Sequence, residues 1–271
     1  MALEISTRQP LPCSMDLPKL DEALCEASAA KIAELYRVPI RLGKDSLEFG
    51  DLFSCRNVGP QPSLVWTGDT QRLNGVACDW RAGLVRVEGN VGDRAGSAMR
   101  GGRLEVAGSA GHWLACDLKG GTIVVEGNCG QFAAASQPAQ RRGILGGVLV
   151  VRGSAGSGLG RRMRRGMVVI EGDVDGPANE MLAGTMILGG RVSGGIGTLM
   201  KRGTIVCLQE PNELQSAGLS RGITIEPLVW RLIRRHLEAQ NVQLQQSTSG
   251  KFQLYHAPAF TGSRGEIWVA R

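Results

Sequence analysis

The sequence predicts an all-β chain: a right-handed parallel β-helix, a solenoid of Gly-rich turns of about 19 residues with short helical and strand-like ends. Three observations carry this reading. The 271 residues include 39 glycines, while aromatic residues are only 4% of the chain. That balance calls for many tight turns around a core of small aliphatic side chains. Short apolar runs start at residues 84, 103, 122, 148, 167, 185 and 204, a step of 18 or 19 broken once by a step of 26. Within the runs, pairs such as Val85/Val87, Ile123/Val125 and Val168/Ile170 alternate with their neighbours, the period of a strand.

The elements follow in chain order. Residues 1–45 read as a helical cap or docking arm. Asp16 is placed to cap a helix over 16–36, with Leu20, Leu24, Ala27 and Leu35 on its apolar side. Residues 46–226 carry the units, with weaker copies near 47, 64 and 223. Each unit has one strand, a Gly, and a second Gly three or four residues on. It closes with an apolar residue and usually a Gly before the next strand. No room is left for a crossover helix, and a lone strand cannot bury itself, so the units must stack, about 4.8 Å apart. The long step holds an insertion at 131–143. Residues 227–271 read as an amphipathic helix over 229–240, then two strands around a loop. Such ends would cover the exposed edges of the stack.

Stacking turns equal offsets into columns. Trp80, Met99, Leu118, Ile144, Met163, Met181 and Met200 form one apolar column, which places Met163 of the segment GRRMRRG (160–166) in the core. The outward strand positions Val124, Val150, Val169, Ile187 and Val206 form a second. A stripe that long on a wet face implies a cover, either the chain's own helices or another subunit. A third column is basic: Arg81, Arg100, Lys119, Arg164 and Lys201, interrupted by Leu145 and Leu182 and thickened by Arg142, Arg161, Arg162, Arg165 and Arg202. Like charges about 5 Å apart repel by roughly 1 kcal/mol even in water. Two readings stay open for this ladder: a solvated face, or a site for an acidic ligand or partner. The net charge of +6, with only 6 lysines among 31 basic residues, suits carboxylate or phosphate recognition by guanidinium.

The remaining signals exclude more than they propose. No apolar run is long enough to span a membrane, and the first residues lack a signal-type apolar stretch. Seven scattered cysteines without a CxxC pair fit free thiols in a reducing compartment, so a cytoplasmic location is expected. His112, His236 and His256 are far apart and have no ligand-spaced neighbours, so no metal site is expected. The segment GSAGSGLGR (153–161) fits no GxGxxG pattern and is followed by no Walker lysine. Glu88, Glu126 and Glu171, with Arg152, read as a surface ladder and not as an acid/base pair. The basic helix lacks interleaved aromatics, which argues against nucleic acid. No catalytic residue is nominated.

The units carrying Gly89, Gly92, Gly96, Met99, Gly101 and Gly102, then Gly108, Gly111, Gly120 and Gly121, then Gly153, Gly156, Met163 and Gly166 resemble a known family. It comprises the C-type subunit of formylmethanofuran dehydrogenase and the C-terminal domain of the glutamate synthase large chain. The resemblance covers about residues 47–225. It implies a β-helix with no catalytic residues and no cofactor of its own: a scaffold beside hydrolase, formyltransferase and dehydrogenase-like subunits. The excess of Arg over Lys favours the bacterial formyltransferase/hydrolase complex of methylotrophs. That complex oxidises formaldehyde to formate in tetrahydromethanopterin-linked C1 metabolism, with the formyl group on a methanofuran/methylofuran-type carrier. The alternatives are the C-type subunit of an archaeal tungsten or molybdenum enzyme, or a glutamate synthase-type domain. The resemblance also gives the basic ladder a candidate ligand, the carrier's glutamate-rich tail. The insertion at 131–143 and the tail after 226 depart from the family's units.

Overall fold

The computed structural model describes residues 2–18, 20, 24, 29–42, 45–59, 63–138, 140–212, 214, 219–244, 248–256 and 263–271. Strands β1 (Ala2–Thr7) and β2 (Met15–Asp16) precede helix α1 (Ala29–Tyr36). Strands β3 (Pro39–Leu42) and β4 (Asp45–Glu48) pair antiparallel, and α2 (Phe49–Leu52) leads into β5 (Phe53–Gly59). A reciprocal capping box, Glu48 with Asp51, starts α2. Next come β6 (Ser63–Thr67), β7 (Leu73–Asn74), β8 (Leu84–Val87), β9 (Arg103–Val106), β10 (Thr122–Val125), β11 (Val148–Val151), β12 (Met167–Ile170), β13 (Val174–Asp175), β14 (Thr185–Leu188), β15 (Val192–Ser193) and β16 (Arg202–Cys207). Strand β17 (Ser220–Ile225), helix α3 (Leu228–Ala239), β18 (Phe252–His256) and β19 (Arg264–Ala270) complete the described chain.

Thirteen of these strands form one sheet, in the order β17-β18-β19-β16-β14-β12-β11-β10-β9-β8-β6-β1-β5. Every neighbour pair from β1 through β19 in that order is parallel. Strands β5, β18 and β17 add antiparallel pairings at the two edges. This sheet overturns the expectation of a parallel β-helix. A β-helix carries strands on two or three faces of each coil, and here one four-residue stretch per unit joins the large sheet. The rest of each unit is turn, linked to the next by isolated bridges such as Val91↔Ala110 and Ala110↔Cys129, or by the two-residue pair β13·β15. Those turns place residues other than glycine in the left-handed region, among them Ala98 (φ 55°), Ala115 (φ 55°) and Arg162 (φ 57°). Such residues cannot continue a strand. Turn propensity read from glycines alone misses them.

Three other expectations change. The helix predicted over 16–36 is helical only at Ala29–Tyr36, while Asp16 lies in β2 beside β7; residues 19, 21–23 and 25–28 lie outside the described residues. The weak copy near 47 is β4, outside the large sheet. The weak copy near 223 is β17, which pairs antiparallel to β18.

Both faces of the central strands are buried, as parallel sheets require. On one side Val85, Val87, Leu104, Val106, Ile123, Leu149, Val168 and Met186 pack against Trp80, Met99, Leu118, Ile144, Met163 and Met181 from the turns. Close stacking forces glycine at the rungs. A Cβ on Gly121 (φ +87°) would stand 2.7 Å from the Gly102 carbonyl oxygen. Side chains also bridge the rungs on the turn side. Ser109 N donates to Asn90 Oδ1, Asn128 N to Ser109 Oγ, Ser154 N to Asn128 Oδ1 and Asp173 N to Ser154 Oγ, all at 2.8–3.0 Å.

Candidate functional site

The basic ladder is fixed by backbone hydrogen bonds between rungs. Arg100 N donates to Trp80 O, Lys119 N to Met99 O, Arg164 N to Ile144 O, and Lys201 N to Met181 O, at 2.7–3.0 Å. Arg100, Lys119, Arg164 and Lys201 are thereby held at equivalent corners, and the same bond holds Leu145 and Leu182 on the units between. The structure adds one residue that lay outside the units read from sequence: Arg264 N donates to Lys201 O at 2.8 Å, beside Arg202. Only the pairing of β19 with β16 brings it there.

Part of the ladder is neutralised within the chain. Glu180 accepts from Arg162 Nε at 2.7 Å and from Arg161 Nη2 at 2.9 Å. These hydrogen bonds, Arg162 first, hold its carboxyl below the usual carboxylate range. Arg100 lies 3.7 Å from Asp79. Arg81, Lys119, Arg142, Arg165, Lys201 and Arg202 are exposed, and Arg164 is half-buried; none of the seven forms a salt bridge among the described residues. Thus GRRMRRG has two halves. Arg161 and Arg162 are tied to Glu180, whereas Arg164 and Arg165 present free guanidinium groups.

Next to this corner lies Asp117, left-handed (φ 55°) and only 4% exposed. Burial pushes its carboxyl above the usual range, opposed by nearby Gln137 and Lys119. Neither carboxylate oxygen makes a hydrogen bond of good geometry among the described residues. Nothing in the sequence marked it, since a single Asp in a turn reads as solvated. Ser97 Oγ lies 3.0 Å from the buried Cys116 sulfur. Burial raises the thiols of Cys129 and Cys207 to about 12, so they are inert neutral thiols at pH 7.

Val124, Val150, Val169, Ile187 and Val206 are all buried, at 6% exposure or less. They share one apolar cluster with Trp230, Ile233 and Leu237 of α3 and with Phe252, Leu254 and Trp268. The chain's own C-terminal segment lies over them. Of the Glu column, Glu171 accepts from Arg152 Nη1 at 2.6 Å. Among the described residues no three His, Cys, Asp or Glu gather as a metal site, and no helix is long and apolar enough to cross a membrane.

These features define a class: a platform of stacked, mostly parallel strands with an arginine-lined corner and a helix over part of one face. No protein-family model matches the sequence, and no curated protein matches it. Among solved structures, one match is a chain of the formyltransferase/hydrolase complex (FhcABCD) from Methylorubrum extorquens, crystallised with methylofuran. The two chains are 32% identical, with 99% of each covered and a TM-score of 0.88. The chain belongs to this family of formylmethanofuran-related subunits of formyltransferase/hydrolase complexes.

Proposed function

We propose that this chain is the C-type, non-catalytic scaffold of a formyltransferase/hydrolase complex. In this reading it holds hydrolase, formyltransferase and dehydrogenase-like subunits around a methylofuran-type carrier during formaldehyde oxidation to formate. The observation that carries the reading is the end-to-end likeness to one chain of such a complex, 99% of both chains at 32% identity. The chain works in the cytoplasm, which suits its free cysteines. Residues 1–45 and 227–271 serve as the end segments of the 46–226 platform.

The basic ladder is assigned to carboxylates, either the carrier's glutamate-rich tail or the acidic surface of a neighbouring subunit. Its support is the set of cations at that corner without a salt bridge among the described residues: Arg81, Lys119, Arg165 and Lys201, exposed, and Arg164, half-buried. An extended tail advances about 3.3 Å per residue and can follow rungs 4.8 Å apart in loose register. Two measurements test the proposal. The isolated chain is assayed for formyl hydrolysis and transfer, and no turnover is expected; turnover by the chain alone would overturn the scaffold reading. Replacing Arg164 and Arg165, the free pair of GRRMRRG, by Gln is expected to slow the complex on long-tailed carriers only, with assembly intact. Failed assembly would assign the ladder to a seam between subunits. Unchanged assembly and turnover at low salt would make it a solvated face.

A further inference from the structure

The side of α3 turned away from the sheet is not explained by the fold. On a 3.6-residue period Trp230, Ile233 and Leu237 share one side, and all three are buried in the cluster over the sheet. The opposite side carries Leu228 and Leu232, one turn apart and exposed at 69% and 55%, with Val229 near them at 44%. A helix lying on a sheet needs one apolar stripe. A second stripe, facing water, belongs to a helix that is covered on both sides.

Charge indicates what covers it. Arg231 and Arg235 line one side of the Leu228–Leu232 ridge, and neither forms a salt bridge among the described residues. Glu238, the only acid of the helix, stands 3.9 Å from Arg234. Strand β17, which leads into α3 through Glu226 and Pro227, is one of the two edge strands of the sheet and shows Ile223 at 71% exposure. The exposed apolar groups and the unpaired guanidiniums therefore belong to one continuous stretch of chain, 223–235.

We infer that the outer side of α3 docks another polypeptide of the complex, one that presents an apolar patch rimmed by carboxylates. The inference rests on the scaffold reading above. Leu228 and Leu232 supply the apolar centre, and Arg231 and Arg235 take carboxylates in charge-assisted hydrogen bonds. A second copy of this chain is a poorer occupant. It would bring the same arginine-rich helix, whose one acid, Glu238, already stands beside Arg234, and a second charge of +6.

The test uses the full chain co-expressed with the other chains of the complex, purified through a tag on one of those. Leu228→Glu/Leu232→Glu and Arg231→Glu/Arg235→Glu are compared with Leu199→Glu, a change at an equally exposed apolar residue (76%) on a turn. Each variant is first melted alone. One that fails to fold is replaced by its milder form, Leu228→Ser/Leu232→Ser or Arg231→Gln/Arg235→Gln. Both α3 variants are expected to bind about tenfold more weakly or to drop out of the complex, while Leu199→Glu stays in. If the α3 variants co-purify as the parent does, the inference is overturned and the scaffold reading stands. If the parent itself co-purifies with no other chain, the scaffold reading fails and the inference fails with it. If the parent runs as a dimer that Leu228→Glu/Leu232→Glu breaks, the occupant is a second copy, and the proposed partner is wrong.

Discussion

One column of the sheet changes character halfway along. Arg86, Glu105, Val124, Val150, Val169, Ile187 and Val206 sit in unbroken parallel register from β8 to β16. On β8 and β9 the column is charged, and Arg86 pairs with Glu105 at 3.4 Å in partial contact with water. From β10 onward it is aliphatic and buried. The residue after α3 marks the border. Gln240 accepts from Arg103 Nη1 through its backbone carbonyl and from Thr122 Oγ1 through its side chain, both at 2.8 Å. The backbone pairing is the same on both sides of that border. Residue type in a single column therefore reports where the sheet is covered.

The largest effect expected is from charging the covered half. Val169→Asp would bury a carboxylate with no partner, a cost of several kcal/mol, and soluble yield should collapse; melting like the parent would remove the cover from the account. Removing the cover from the other side comes next. Trp230 is 3% exposed and packs edge-on to Phe252, so Trp230→Ala should cost about 3–5 kcal/mol in denaturant unfolding.

Asp117→Asn should act in the opposite direction. Burial raises this carboxyl, so the folded chain favours its protonated form. The resulting penalty is absent below the ordinary carboxylate pKa and complete above the raised one. The variant should melt higher than the parent at pH 7, by about 1 kcal/mol, and the two should converge as pH falls. Equal melting at pH 7 would show that the buried carboxylate is compensated. Glu180→Gln is a smaller, opposite case. Its carboxyl is lowered by Arg162 and Arg161, so its contribution is present above the ordinary carboxylate pKa and is lost as pH falls through the depressed one. The pair is partly exposed, so the loss at pH 7 should stay below about 1 kcal/mol and shrink in high salt. In the wet half, Arg86→Ala should change stability by no more than about 0.5 kcal/mol; a cost like that of Trp230→Ala would mean both halves are covered.

Much of this was legible in the sequence where stacking is local. Step length and alternation located β8, β9, β10, β11, β12, β14 and β16 but not the two-residue β13 and β15. The architecture was not legible. Glycine spacing says that units stack, but not that one stretch per unit carries the strand while alternate turn residues such as Ala98 and Arg162 go left-handed. Nor do the units show that β1 enters the sheet between β6 and β5, or that β19 returns beside β16 and carries Arg264 to the basic corner. Those are long-range pairings, and no periodicity records them. Asp117 escaped as well, because a lone aspartate in a turn carries no sign of its burial.

The most direct test is native mass spectrometry of the assembly purified through a tag on this chain, with formyl transfer and hydrolysis assayed before and after the chain is released. One assembly containing this chain with other polypeptides is expected, with turnover in the assembly and none in the released chain. A folded monomer that hydrolyses or transfers the formyl group by itself would contradict the scaffold reading.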